Sequence, residues 1–279
     1  MKITILVDNN TYIDRYYLGE PAASFYIEIE DKFILFDTGY SDVLLYNAQK
    51  MGLDLSQLTH IVISHGHNDH TNGLKVLNQN FDISNMRLIA HPECFLPKYY
   101  DDGEYVGAPY SIDEITDIIQ YIPSRRPYHI TDNLVFLGEI ERTNHFENQK
   151  PIGKYIENNI SKDDYLLDDS ALVYKCKKGI FIITGCSHSG ICNIVEYAKK
   201  VCKDDRVLGI VGGFHLFEDN QQLKETIQYL EASQIQYFYP CHCVSLLAKA
   251  KMMEKLPVKE TGVGMVIEID NNHISIKYR

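Results

Sequence analysis

The chain has 279 residues, 45% hydrophobic and 23% charged, the composition of a soluble globular protein with room for a sizeable core. A formal net charge of −11 disfavours nucleic acid and anionic membrane as partners and leaves a small-molecule substrate as the expectation. Seven cysteines, odd in number and without paired spacing, predict reduced thiols; no signal-peptide core or membrane-length apolar run is found, so a cytoplasmic location is expected.

Lys2–Val7 reads as a first strand. Phe25–Ile29 and Phe33–Phe36 alternate around Glu30-Asp31-Lys32 as a hairpin that ends in Asp37-Thr38-Gly39. Ser41 opens a helix through Lys50 with Val43, Leu44, Ala48 and Met51 on one face, stopped by Gly52. His60–Ile63 is a short buried strand, 73–78 a helix and Arg87–His91 a strand. From Pro92 to Ile130 tyrosines gather among prolines and acids, which predicts an insertion or lid with a helix over 112–121. Leu134–Ile140 reads as a strand and 141–167 as polar loop. Ala171–Cys176 and Ile180–Thr184 form a second hairpin, followed by a helix with the stripe Ile191, Ile194, Val195, Ala198 and Val201. A strand over Val207–Val211, a helix over Gln221–Ala232 and a strand over Ile235–Tyr239 come next. Strands Val263–Ile269 and Ile274–Tyr278 close the chain around Asp270-Asn271-Asn272. One domain over 1–279 is expected.

Two stretches echo each other. Phe36-Asp37-Thr38-Gly39-Tyr40-Ser41 matches Ile182-Ile183-Thr184-Gly185-Cys186-Ser187, each after a hairpin and before a helix. The next strands end alike, in Ser64-His65-Gly66-His67 and Gly212-Gly213-Phe214-His215, at nearly the same offset. Two related halves folded face to face would bring their strand ends to one edge.

The first of those ends carries the chemistry. His65, His67, Asp69 and His70 supply enough donors for two metal ions. His65 and His67, two apart in extended chain, can share one ion, and Asp69 and His70 lie further on toward a second. Gly66 keeps the backbone between the first two open. A two-metal centre needs more ligands, and His188, His215 and His242 stand at strand ends of the second half; ligand count favours His188 and His242.

The H-x-H-x-D-H pattern resembles the metallo-β-lactamase superfamily of two-metal hydrolases. With Asp37-Thr38-Gly39, Gly138-Glu139-Ile140 and Arg142, Gly185-Cys186-Ser187-His188-Ser189-Gly190-Ile191, Gly212-Gly213-Phe214-His215-Leu216 and Pro240-Cys241-His242-Cys243, it resembles the branch of dihydropterin ribofuranosyl-aminobenzene 5'-phosphate synthases. The resemblance implies an α/β fold, a four-layer αββα sandwich of two mixed sheets, and a dinuclear site. His65, His67 and His188 would bind one ion, Asp69, His70 and His242 the other. The superfamily's bridging aspartate falls at Cys186, so the bridge would be a thiolate or water alone. Asp37 would orient a ligand imidazole, and Asp168 and Asp169 would stand behind the ligands or face solvent. Cys241 and Cys243, alternating around His242, are expected to pack.

These residues predict metal-assisted hydrolysis or transfer, and the resemblance implies a phosphate-containing small molecule as substrate: a phosphoester, a cyclic phosphate or a phosphoribosyl-type compound. Two divalent ions, zinc by ligand type with manganese or iron also fitting, would activate water. Asp69 would orient the attacking hydroxide, and His215 would meet the substrate and stabilise developing charge. Arg125, Arg126 and Arg142 are candidate phosphate anchors, guanidinium matching phosphate geometry. The alternative is a di-iron redox protein acting on oxygen or peroxide, against which His67 stands where such proteins carry a carboxylate.

Overall fold

The apolar runs become strands and amphipathic helices in an order that a computed structural model describes for residues 1–270 and 273–279. The first elements are β1 (Lys2–Val7), β2 (Ser24–Ile29), β3 (Lys32–Phe36), α1 (Val43–Met51), β4 (His60–Val62), α2 (Asn68–Thr71), α3 (Gly73–Asn80) and β5 (Arg87–Ala90). Then come β6 (Lys98–Tyr99), α4 (Ile112–Ile118), β7 (Gln120–Pro123), β8 (Tyr128–His129), β9 (Leu134–Phe136), β10 (Lys154–Glu157) and β11 (Ile160–Asp163). The rest are β12 (Ala171–Cys176), β13 (Gly179–Thr184), α5 (Ile191–Cys202), β14 (Val207–Gly212), α6 (Gln221–Ala232), β15 (Tyr237–Pro240), α7 (Leu246–Met253), β16 (Met265–Ile269) and β17 (Ile274–Tyr278).

The chain divides into two compact units. The first comprises Met1–Arg125, Pro151–Asp168 and Gly262–Arg279, the second Arg126–Lys150 and Asp169–Thr261. The first unit holds an eight-stranded sheet in the order β17-β16-β1-β2-β3-β4-β5-β7 and a three-stranded sheet β11-β10-β6. The second holds a six-stranded sheet, β15-β14-β13-β12-β9-β8.

The sequence echo has a topological counterpart. From β1 to β5 the pairings run antiparallel, antiparallel, parallel, parallel. From β9 through β12, β13 and β14 to β15 they run the same way. Parallel neighbours require a crossover, and the helix supplying it covers a sheet face. In the first unit Leu44 and Ala48 of α1 and Leu74 and Leu77 of α3 join Leu35, Ile61 and Leu88 in one core. In the second Ile191, Ile194, Val195 and Ala198 of α5 join Val173, Ile182, Ile210 and Phe238. Each fully buried Leu, Ile, Val or Phe among them contributes roughly 1.5–3 kcal/mol of transfer free energy.

Three expectations need correction. The helix expected over 112–121 stops at Ile118, and Gln120–Pro123 forms β7, parallel to β5. Ser111 and Glu114 make a capping box at its start, but the β-branched and aromatic residues after Ile118 suit a strand better. The stretch 141–167 is not all loop: β10 and β11 pair across Asn158 and Asn159, both with positive φ. That is the geometry of a two-residue primed turn; the hairpin's exposed faces carry no apolar alternation. Helix α7, capped by the Ser245 hydroxyl on Ala248 N, had no predicted counterpart. Within 92–130, β6 joins the small sheet and β7 the large one. The turn expected at Asn271-Asn272 lies outside the described residues. Among the described residues no helix is long and apolar enough to cross a membrane.

Candidate metal centre

In the first unit the metal motif begins where β4 ends. Asp37, at the end of neighbouring β3, is fully buried and adopts a positive φ of 59°, a conformation uncommon outside glycine and frequent at functional sites. Its Oδ1 accepts Ser64 N–H at 2.7 Å, and its Oδ2 accepts the Ser64 hydroxyl and faces His70 Nδ1, each at 2.7 Å. A carboxylate only accepts, so His70 Nδ1 carries the proton and Nε2 is the ring's acceptor nitrogen. The Ser64 hydroxyl, whose one hydrogen points to Asp37, accepts from His65 Nδ1 at 2.9 Å. One carboxylate thus sets the tautomer of two imidazoles, His70 directly and His65 through Ser64.

The acceptor nitrogens then converge. His65 Nε2 stands 3.1 Å from His67 Nδ1, and His70 Nε2 stands 3.6 Å from Asp69 Oδ2. Two ligands bound tetrahedrally at about 2.0–2.1 Å are about 3.3 Å apart, so both separations suit a shared zinc-sized ion. His65 and His67 fall in one group of ligand atoms within 4.8 Å of one another, Asp69 and His70 in a second. The donor set therefore fits metal. His65 and His70 are fully buried, while the Asp69 side chain is 28% exposed. Burial, opposed by Asp69, brings the His67 imidazole down to about 4, so it is neutral and ready to ligate at neutral pH. Gly66 is required by close approach: a Cβ there would lie 2.1 Å from Cys94 O.

In the second unit three strand-end loops are stitched together. Gly213 N–H donates to Gly185 O at 2.8 Å, Cys241 N–H to Gly212 O at 3.0 Å, and Leu216 N–H to Cys243 O at 3.2 Å. A Cβ on Gly213 would lie 2.4 Å from Cys243 Sγ, so the loops close this tightly only around glycine. Ser187, His215 and His242 all have positive φ, at 62°, 49° and 52°. The His188 and His215 rings lie 4.4 Å apart, and Phe217 packs edge-on against His215. Cys186 and His242 carry ligand atoms within 4.8 Å of each other. Cys241 is fully buried, and Cys243 is half-buried with its thiol on Cys186 O.

Neither Asp168 nor Asp169 faces solvent; both are fully buried. Asp168 Oδ2 accepts Gly66 N–H at 2.7 Å, inside the metal motif. Asp169 Oδ2 accepts Ser189 N–H and its hydroxyl at 2.9 and 2.5 Å, beside His188. Burial pushes the Asp169 carboxyl up to about 6 against these donors and the more distant Arg142. Of the arginines, Arg125 pairs with Glu93 and contacts His91, Arg126 is exposed and Arg142 half-buried. Sequence reasoning missed Ser64, Ser189 and Lys98; a serine next to the histidine in both loops was the available signal for the first two, and nothing marked Lys98.

Comparison with known proteins agrees with this chemistry. Residues 18–145 match the model of the metallo-beta-lactamase superfamily. An uncharacterized protein of Methanocaldococcus jannaschii is 34% identical over 96% of this chain and 100% of its own length. The chain belongs to the metallo-β-lactamase superfamily. Within it, the 7,8-dihydropterin-6-methyl-4-(beta-D-ribofuranosyl)-aminobenzene-5'-phosphate synthase of the same organism is 30% identical, covering 91% of both chains. The crystal structure of Tm1679, a metal-dependent hydrolase of the β-lactamase superfamily, matches with a TM-score of 0.82 at 28% identity over 96% of this chain and 99% of the other. The expected metallo-β-lactamase fold with mixed sheets is the fold of this chain.

Proposed function

We propose that the protein is a metal-dependent hydrolase or transferase that acts on a phosphate-containing small molecule at a dinuclear centre. His65, His67 and His188 hold one ion in this reading, Asp69, His70 and His242 the other, and Cys186 is the candidate bridging ligand. The supporting observation is the convergence of His65 Nε2 and His67 Nδ1 at 3.1 Å, with the His65 and His70 tautomers set by Asp37. Zinc is the expected ion because most donors are imidazole nitrogens, with manganese or iron as substitutes.

Two divalent ions would supply a water acidic enough to attack at neutral pH and polarise the substrate's electrophile. Asp69, with its partly exposed carboxylate, orients that water. His215 donates a proton to a phosphate oxygen or to the leaving group, and Arg142 and Arg126 anchor the phosphate. The phosphate itself is carried over from the relative named as a 5'-phosphate synthase. The net charge of −11 supports a small substrate over nucleic acid or an anionic membrane, and the cysteine pattern supports a cytoplasmic location.

The test pairs elemental analysis with turnover of p-nitrophenyl phosphate and bis(p-nitrophenyl) phosphate, with and without chelator. About two metal ions per chain and chelator-sensitive turnover are expected. The His65→Ala/His67→Ala/His70→Ala variant should lose both. If that variant kept two ions, the site is elsewhere; a loaded protein inert toward both esters would remove the phosphate reading.

A further inference from the structure

We propose that Lys98 is a positioning residue for the metal motif: its ammonium, clamped between Asp164 and Asp168, braces the backbone at Gly66 and so sets the geometry of His65 and His67. This rests on the reading of those two histidines as metal ligands.

Lys98 is only 2% exposed, a place lysine takes rarely and only when paired. Its Nζ lies 2.8 Å from Asp164 Oδ2 and 3.1 Å from Asp168 Oδ1, and both carboxylates are themselves buried. Burial works against the lysine cation, but Asp168 and Asp164 outweigh it and hold the ammonium charged. Burial likewise works against the Asp168 carboxylate, and Lys98 keeps it below its ordinary range.

The second oxygen of Asp168 takes Gly66 N–H at 2.7 Å, on the peptide between His65 and His67. The Lys98 stem presses on the same spot: a Cβ on Gly66 would lie 2.8 Å from Lys98 Cε. The Lys98 backbone reaches the motif beyond His67. Its carbonyl accepts Val106 N–H at 3.0 Å, and Val106 O accepts Asn68 N–H at 2.8 Å. The brace therefore grips the chain on both sides of His67.

The hairpin β10–β11 brings Asp164 to the lysine: Tyr155 is in register with Lys98, and Asp164 N–H donates to Gly153 O at 2.9 Å. A buried ion triad is a poor route to stability, because well-packed apolar residues of the same volume do as well or better. Its value lies in orientation. Histidines two residues apart must present nitrogens to one ion, and rotation of the intervening peptide would separate them.

The experiment compares wild type with Lys98→Met and Asp168→Asn. Zn(II) affinity is measured by competition with a chromophoric chelator, and the visible d–d spectrum is recorded after Co(II) substitution. Each variant should bind Zn(II) about 10–100-fold more weakly, the usual effect of losing support behind a ligand, with altered Co(II) bands and unchanged far-UV circular dichroism. Should Lys98→Met fail to fold, Lys98→Met/Asp164→Asn, which preserves the net charge of the cluster, is read in the same assays with the same expectation. Wild-type affinity and spectrum in the folded variants, whatever their Tm, would make the triad merely structural and overturn the proposal. Wild-type protein that binds no Zn(II) would overturn the metal reading itself, and this role with it.

Discussion

The loop after β4 and the loop after β13 use the same device at two degrees of completion. In each, a fully buried aspartate takes both the backbone N–H and the hydroxyl of a serine next to a histidine: Asp37 holds Ser64 beside His65, and Asp169 holds Ser189 beside His188. Asp37 engages both oxygens and also fixes His70 Nδ1. Asp169 engages Oδ2 alone, and its buried Oδ1 has no hydrogen bond among the described residues. The consequence is electrostatic: burial without full compensation leaves the Asp169 carboxyl at about 6. Asp37 orients two imidazoles from behind, whereas Asp169 holds only the chain beside one. The first loop is thus organised by its own unit down to the proton positions, and the second is organised at the level of the backbone.

The most severe way to break that comparison is His215→Ala. His215 follows β14 as His67 follows β4, so the echo would make it a ligand, while the donor count would make it a substrate contact. Turnover should fall by about 10²–10⁴ with metal content intact. Loss of one ion on elemental analysis would restore the full symmetry of the two ends; unchanged turnover would make His215 structural.

A sharper measurement sets Asp37→Asn beside Asp169→Asn. An amide cannot accept all three donors that Asp37 serves, so Zn(II) affinity should fall about 10–100-fold. In Asp169→Asn the amide oxygen could still accept from Ser189 and from the His188 backbone, so a change under about tenfold is expected. Equal losses in a chelator competition assay would erase the distinction drawn between the loops.

The smallest effect on the site itself lies in the strands beneath, where stability is read instead. β4 begins with buried His60 paired to Ile34, where β14 begins with Val207 paired to Ile180. Burial, aided by Arg87 and Lys32, brings His60 down to about 4. Between pH 6.5 and about 4 the unfolded chain therefore binds a proton that the folded chain refuses. The stability that neutral His60 allows is complete above pH 6.5 and declines as pH falls through that window, by about 2–3 kcal/mol in all once solvent screening is allowed for. His60→Gln should flatten that part of a denaturant-unfolding pH series, and an unaltered slope would place the titration elsewhere.

Much of the fold was legible because its signals are local. The two hairpins, the α5 stripe and the strand before the metal motif each lie within one short window whose period states the element. Hairpin β10–β11 escaped because both of its faces are largely exposed and carry no apolar period, although Asn158-Asn159 was a readable turn signal. The cores also followed from periodicity, since burial of the α1 and α5 faces needs only a sheet to cover.

The sequence by itself determined the superfamily, the doubled order of strands and helices, and the candidate metal ligands, because ligand chemistry and spacing reside in contiguous residues. Tertiary structure alone decided what holds those ligands in place. Asp168 meets Gly66 across 102 positions of chain, and Lys98 meets Asp168 across 70. Such contacts leave no periodic trace, because a buried charge is satisfied by whatever partner the fold delivers within about 3 Å, at any separation along the chain.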